Sequence, residues 1–117
     1  MKRIVFLTCP KAESVCTGAA CFAAMNRRTH AFARYKGEIL ETAAFMKCSG
    51  CGIFPGNDAG LDEKIGRILS VTPDAVHLGI CTKRNGRGKD ICEEVKAIAG
   101  IFQNKNIPVI RGTHSDF

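Results

Sequence analysis

An α/β fold is what this chain predicts: a small three-layer domain with a mainly parallel four-stranded sheet, flavodoxin-like or Rossmann-like. Three observations point to it. Short apolar runs alternate with amphipathic stretches in the order β-α-β-α-β-α-β, the pattern of a parallel sheet with helices on both faces. No repeat or linker interrupts the series, so residues 1–117 read as one domain, long enough to build its own core. A hydrophobic share of 45% and a charged share of 24% belong to a globular chain and exclude a disordered one.

Each element has its own warrant. Ile4 to Leu7 is a continuous apolar run, as in a strand buried on both faces, and Pro10 stops it. Thr17 is placed to cap an alanine-rich helix whose Phe22, Met25 and Phe32 share one face. That helix is expected to run to about Lys36, with Gly37 closing it. Glu38 to Lys47 reads as the second strand, with Ala43 to Met46 as its buried half. A loop from Gly52 to Gly60 follows, marked by Pro55 and Asn57-Asp58. Leu61, Ile65, Ile68 and Leu69 then repeat at helical spacing until Thr72-Pro73-Asp74. Ala75 to Ile80 is the third strand. Asp90 is expected to cap a third helix, with Glu93 as capping-box partner and Ile91, Val95, Ile98 and Phe102 as its apolar stripe. Ile107 to Arg111 is the last strand.

Composition narrows the functional classes. No apolar run approaches the roughly 20 residues of a membrane span. Ile4 to Leu7 is also too short for the core of a signal peptide, so the expected location is the cytoplasm. The formal charge is +6, but the cations are spread along the chain and there is no Trp and one Tyr. That distribution disfavours a nucleic-acid partner. One basic cluster stands out, with Lys83, Arg84, Arg87 and Lys89. It suits a solvated loop better than a site for a small anionic ligand. No intact G-x-G-x-x-G follows the first strand, which disfavours a nucleotide.

The cysteines carry the chemistry. There are seven, an odd number, and a reducing compartment would not hold them as structural disulfides. Metal ligation and thiol redox work remain, with about two of the seven serving as small buried hydrophobes. All seven fall on one edge of the expected sheet. Cys9, Cys48, Cys51 and Cys81 sit just past strands, while Cys16, Cys21 and Cys92 sit at or near helix starts. His114, past the last strand, joins them. Ligands in open parallel sheets bind at that edge, and helix N-termini there favour a thiolate.

Cys48-Ser49-Gly50-Cys51 is the centre of the constellation, with a C-x2-C spacing that tetrahedral zinc often uses. The best ligand set is Cys48, Cys51, Cys81 and His114, with Cys9 as substitute for His114. The same thiolates suit an iron–sulfur cluster. Cys48 and Cys51 also suit a dithiol/disulfide couple, as in an oxidoreductase or redox sensor, although Gly52 to Gly56 is poor material for the helix that thioredoxin-type sites need. His77 lies four strand steps from Cys81, about 13 Å, too far to share an ion. It reads as a core or partly exposed residue, and His30, mid-helix among arginines, as a surface one.

Cys16-Thr17-Gly18 with Cys21-Phe22, Cys48-Ser49-Gly50-Cys51 with Pro55-Gly56, Cys81, Cys92 and Thr113-His114 together resemble the CGGC-domain family of small prokaryotic proteins. The resemblance spans nearly the whole chain. It implies metal binding by cysteine and histidine, with zinc as the ion, and implies no particular reaction. One position departs from the pattern: Ser49 stands where the family motif has its first glycine.

Overall fold

The computed structural model describes residues 1–12, 14–83 and 90–115. Four strands, β1 (Lys2–Thr8), β2 (Leu40–Lys47), β3 (Ala75–Leu78) and β4 (Val109–Arg111), form one sheet in the order β2-β1-β3-β4. Every pairing in it is parallel. This is the order of the first four strands of a flavodoxin-like sheet. The helices are α1 (Ala19–Arg27), α2 (Ala59–Ser70) and α3 (Glu93–Asn104). None of them is long and apolar enough to cross a membrane.

β1 is central, and Ile4, Val5, Phe6 and Leu7 are all fully buried, as its continuous apolar run requires. Side chains alternate along it, so it feeds two cores. Ile4 and Phe6 pack with Ala75, with Cys21, Ala24 and Met25 of α1, and with Phe32 and Tyr35. Val5 and Leu7 pack with Val76 and Leu78, with Leu61, Ile65 and Ile68 of α2, and with Val95, Ile98 and Phe102 of α3. Thus α1 covers one face of the sheet and α2 with α3 the other.

The β1–β2 pairing contains an irregularity. Ile4 pairs with Thr42 but Val5 pairs with Ala44, so β2 carries one extra residue, Ala43, at a bulge. Beyond it Phe6 pairs with Phe45, Leu7 with Met46 and Thr8 with Lys47. The backbone N–H of Cys48 then donates to the carbonyl of Thr8 at 3.1 Å.

The third and fourth strands are shorter than the expected Ala75 to Ile80 and Ile107 to Arg111, and three helix boundaries also differ from the sequence reading. The first helix does not reach Lys36. It ends at Arg27, Arg28 takes the left-handed conformation at φ 55°, and a short 3₁₀ turn from His30 to Tyr35 follows. Phe32 still reaches the α1 core from that turn, so the apolar spacing was real while the helix was not continuous. His30 is exposed, as expected, but not mid-helix. At the start of α1 Thr17 is not the cap residue: Gly18 is, although Thr17 Oγ1 does accept from the Ala19 N–H at 3.3 Å. In α3 the cap is Cys92, not Asp90, because Ile91 is drawn into a bridge with Lys83 before the helix begins. α2 follows the ordinary rule, with Asp58 accepting from the Leu61 N–H at 2.9 Å. Of the basic cluster only Lys83 is described; Arg84, Arg87 and Lys89 lie outside the described residues.

Candidate functional site: two thiol cavities at one sheet edge

The expected convergence holds at the level of the edge. Cys9 follows β1, Cys48 follows β2, and Cys81 lies in a 3₁₀ turn just past β3. Cys92 caps α3, Cys21 is in the first turn of α1, and His114 lies past β4. At that edge the sheet divides them. Cys9, Cys48, Cys51 and Cys92 line one cavity of about 60 Å³, on the side of α3. Cys16, Cys21, Cys81 and His114 line another of about 430 Å³, on the side of α1. The expected ligand set is therefore split, Cys48 and Cys51 to one cavity, Cys81 and His114 to the other. Cys9, named as a substitute ligand, is the residue that accompanies the C-x-x-C pair.

Alternation accounts for the division. Cys9 continues the parity of Val5 and Leu7, which face α2 and α3. The backbone N–H of Cys9, on the smaller cavity, donates to Sγ of Cys81, on the larger, at 3.2 Å.

In the smaller cavity Cys48 is buried and Cys51 exposed. The loop between and after them depends on Gly50 at φ 116° and Gly52 at φ 84°. Nothing lies within 4 Å of where a Cβ would stand at either, so backbone conformation rather than space demands glycine there. Ser49 is not among the residues of positive φ. A serine in place of the motif's first glycine is thus accommodated without strain. Gly52 N–H donates to Glu94 Oε2 at 2.6 Å, tying this loop to the first turn of α3.

Lys11, which sequence reasoning did not single out, lines the same cavity. The Cys51 sulfur, by hydrogen bonding and charge, raises the lysine above its ordinary value, with smaller effects of Cys9 and Cys92 in the same direction and desolvation opposing. The 3₁₀ turn from Pro10 to Ala12 brings it there. No periodic pattern marks such a residue; proximity to Cys9 in the chain was its one visible cue.

In the larger cavity Cys21 Sγ lies 3.1 Å from Thr113 Oγ1 and 3.6 Å from His114 Nδ1. Thr113 Oγ1 is in turn 3.3 Å from that same nitrogen. His77 is elsewhere, fully buried in the core. Its Nδ1 lies 2.8 Å from the Gly112 carbonyl and its Nε2 2.8 Å from the Tyr35 hydroxyl. The carbonyl can only accept, so Nδ1 carries the proton and Nε2 accepts from Tyr35.

Burial pushes four thiols up. In Cys92 the charges of Cys9 and Glu94 add to it and Lys11 opposes. In the other three a hydrogen bond opposes it: for Cys48 from the backbone at Gly50, for Cys81 from the Cys9 N–H, and for Cys21 from the Thr113 hydroxyl. A thiol that resists ionisation only when folded makes the unfolded chain the better proton donor. Stability from these four is fully present below the ordinary thiol range and falls as pH rises through it toward their raised values. Unfolding by urea at pH 7 and at pH 10, under reducing conditions, should show a lower midpoint at pH 10. Replacing Cys48 and Cys81 with alanine together should flatten that dependence.

The donor set of the smaller cavity, four thiols from three chain segments, suits a soft, thiophilic ion in kind. Among the described residues, however, no group of three or more Cys, His, Asp or Glu side chains is placed to hold an ion as it stands. The ligand chemistry is present and a ready-made cage is not.

The family model described as the CGGC domain matches residues 3–114. The chain is also 28% identical over 119 residues to "Uncharacterized protein MJ0582" of Methanocaldococcus jannaschii, an alignment covering 97% of this chain and 81% of the relative. No solved structure matches it significantly.

Proposed function

The chain belongs to the CGGC-domain family, and from that membership and the geometry above we propose that it binds a thiophilic metal ion, zinc first, through Cys9, Cys48, Cys51 and Cys92. The observation that carries this reading is the meeting of those four thiols in one cavity of about 60 Å³. Organic ligands need roughly 300–1,000 Å³, so the space suits an ion rather than a cofactor. An ion there would supply Lewis acidity or a structural clamp. Since the thiols are not already placed around an ion, binding would be coupled to movement of the loop at Gly50 and Gly52. Lys11 would offset part of the negative charge of four thiolates.

The test is metal analysis of protein purified anaerobically without a histidine tag. One ion per chain is expected, with Cys48→Ser and Cys51→Ser each losing most of it. Unchanged metal content in both variants would sink the reading. Stoichiometric iron with a brown chromophore would move it to an iron–sulfur site.

A second reading rests on the placement of two thiols. Cys51 is exposed, with Lys11 lining the same cavity and the buried Cys48 three residues back, so an accessible thiol stands beside a resolving one. Metal-free protein with intact thiols, and fast, selective alkylation of Cys51, would favour a thiol oxidoreductase or redox sensor.

A further inference from the structure

The larger cavity has a chemistry of its own, which neither reading above uses. We propose that Cys21 and His114 form a nucleophile–base pair serving that cavity, and that the cavity takes a small uncharged acyl donor.

Geometry argues for the pair. Cys21 Sγ and His114 Nδ1 are 3.6 Å apart, within reach for a sulfur hydrogen bond. Thr113 Oγ1 lies 3.1 Å from the sulfur and 3.3 Å from the same ring nitrogen, so its hydroxyl bridges thiol and imidazole. The three side chains come from opposite ends of the chain. Ala31 N–H donates to the Thr113 carbonyl at 3.3 Å and Gly112 N–H to that of Leu78 at 2.9 Å, which seats the C-terminal segment beside α1. A nucleophile within reach of a base is the pairing that covalent catalysis requires.

The cavity argues for the ligand. At about 430 Å³ it falls in the range of small-molecule sites. Its described lining mixes Ala12, Ala20 and Ile80 with the hydroxyls of Thr8 and Thr17, and includes no Lys, Arg, Asp or Glu. Among the described residues a charged ligand would find no counter-ion there. The first-turn N–H groups of α1, which have no intrahelical acceptor, border the same space through Ala19 and Ala20. One of them, Ala19 N–H, is held by Thr17. Burial keeps the Cys21 thiol protonated, so the imidazole takes the proton during attack rather than before it.

The Cys21 S–H proton passes to His114 Nδ1 while sulfur bonds to the acyl carbon. The bond to the leaving group then breaks, and that group departs with the proton from the imidazolium. Water or a second thiol, deprotonated by the same imidazole, attacks the thioester and restores the free thiol.

The experiment is anaerobic incubation of the full chain with p-nitrophenyl acetate, followed by intact and peptide mass measurement. One acetyl group on Cys21 is expected. His114→Ala should slow its appearance by about 100-fold, the loss typical of a missing general base. Cys21→Ser should abolish it. If Cys21→Ser does not fold, His114→Ala, a half-buried position past the last strand, still decides the matter. Label confined to Cys16 or Cys51, or equal rates with and without His114, would overturn the proposal. So would loss of bound metal in His114→Ala, which would make the imidazole a ligand. The metal reading stands or falls separately, on the Cys48 and Cys51 variants.

Discussion

Replacing Phe6 with alanine should cost about 3–5 kcal/mol, the range for deleting a buried aromatic ring. Phe6 is fully buried on the central strand. Its ring centroid is 5.1 Å from that of Phe22, 5.7 Å from Phe32 and 5.4 Å from Phe45. The substitution therefore leaves a void where α1, the 3₁₀ turn and the edge strand meet, with no neighbour free to collapse into it without leaving another ring. A domain of this size has a total stability of roughly 5–15 kcal/mol, so the variant should be barely folded at 37 °C. The melting temperature should drop by more than about 10 °C. A urea midpoint within experimental error of the parent would show that the aromatic cluster is not the keystone of that face.

His77→Leu should be nearly as damaging, at roughly 2–5 kcal/mol, although leucine has about the same volume. The loss is polar. Leucine leaves the Tyr35 hydroxyl and the Gly112 carbonyl unpaired inside the protein, each at about 1–3 kcal/mol. It also removes the stacking on Phe32, whose centroid lies 4.4 Å from the imidazole. Tyr35→Phe removes one bond of the two and should cost less. Adding Tyr35→Phe to His77→Leu should be less harmful than the two separate losses summed, because the second change deletes a hydroxyl already orphaned. Additive losses in that double-mutant cycle would count against the network. Gly112 precedes Thr113 and His114, so His77→Leu should also loosen the segment that faces the larger cavity.

How far the sequence could be read depended on the kind of information required. The strands were legible because apolar runs such as Ile4 to Leu7 allow few alternatives, and the alternation of elements implied the parallel sheet. The break after Arg27 was not legible. No glycine or proline marks it, and Phe32 continues the spacing of Phe22 and Met25 across it, since burial against the same core is served equally by a helix or by a 3₁₀ turn. The early Asp90 cap failed because a tertiary contact, the bridge between Lys83 and Ile91, holds the chain extended where the local pattern favours a helix start. The site was legible as an edge but not as two cavities. Its division depends on which face each thiol takes once the strands have ended. For Cys9 the parity of Val5 and Leu7 held that answer. For Cys51 and Lys11, placed by a glycine loop and a 3₁₀ turn, no periodicity exists to read.

The extra residue in the edge strand has a further consequence. Because Ala43 is absorbed as a bulge, the residues after it keep step with β1, and the bond from Cys48 to Thr8 anchors the motif at the last rung. The position of Cys48-Ser49-Gly50-Cys51 is thus counted from the central strand rather than from the start of its own. A lineage could lengthen or shorten the segment before Thr42 and still deliver the two thiols to the same place. Moving Thr8 by one residue would turn both away.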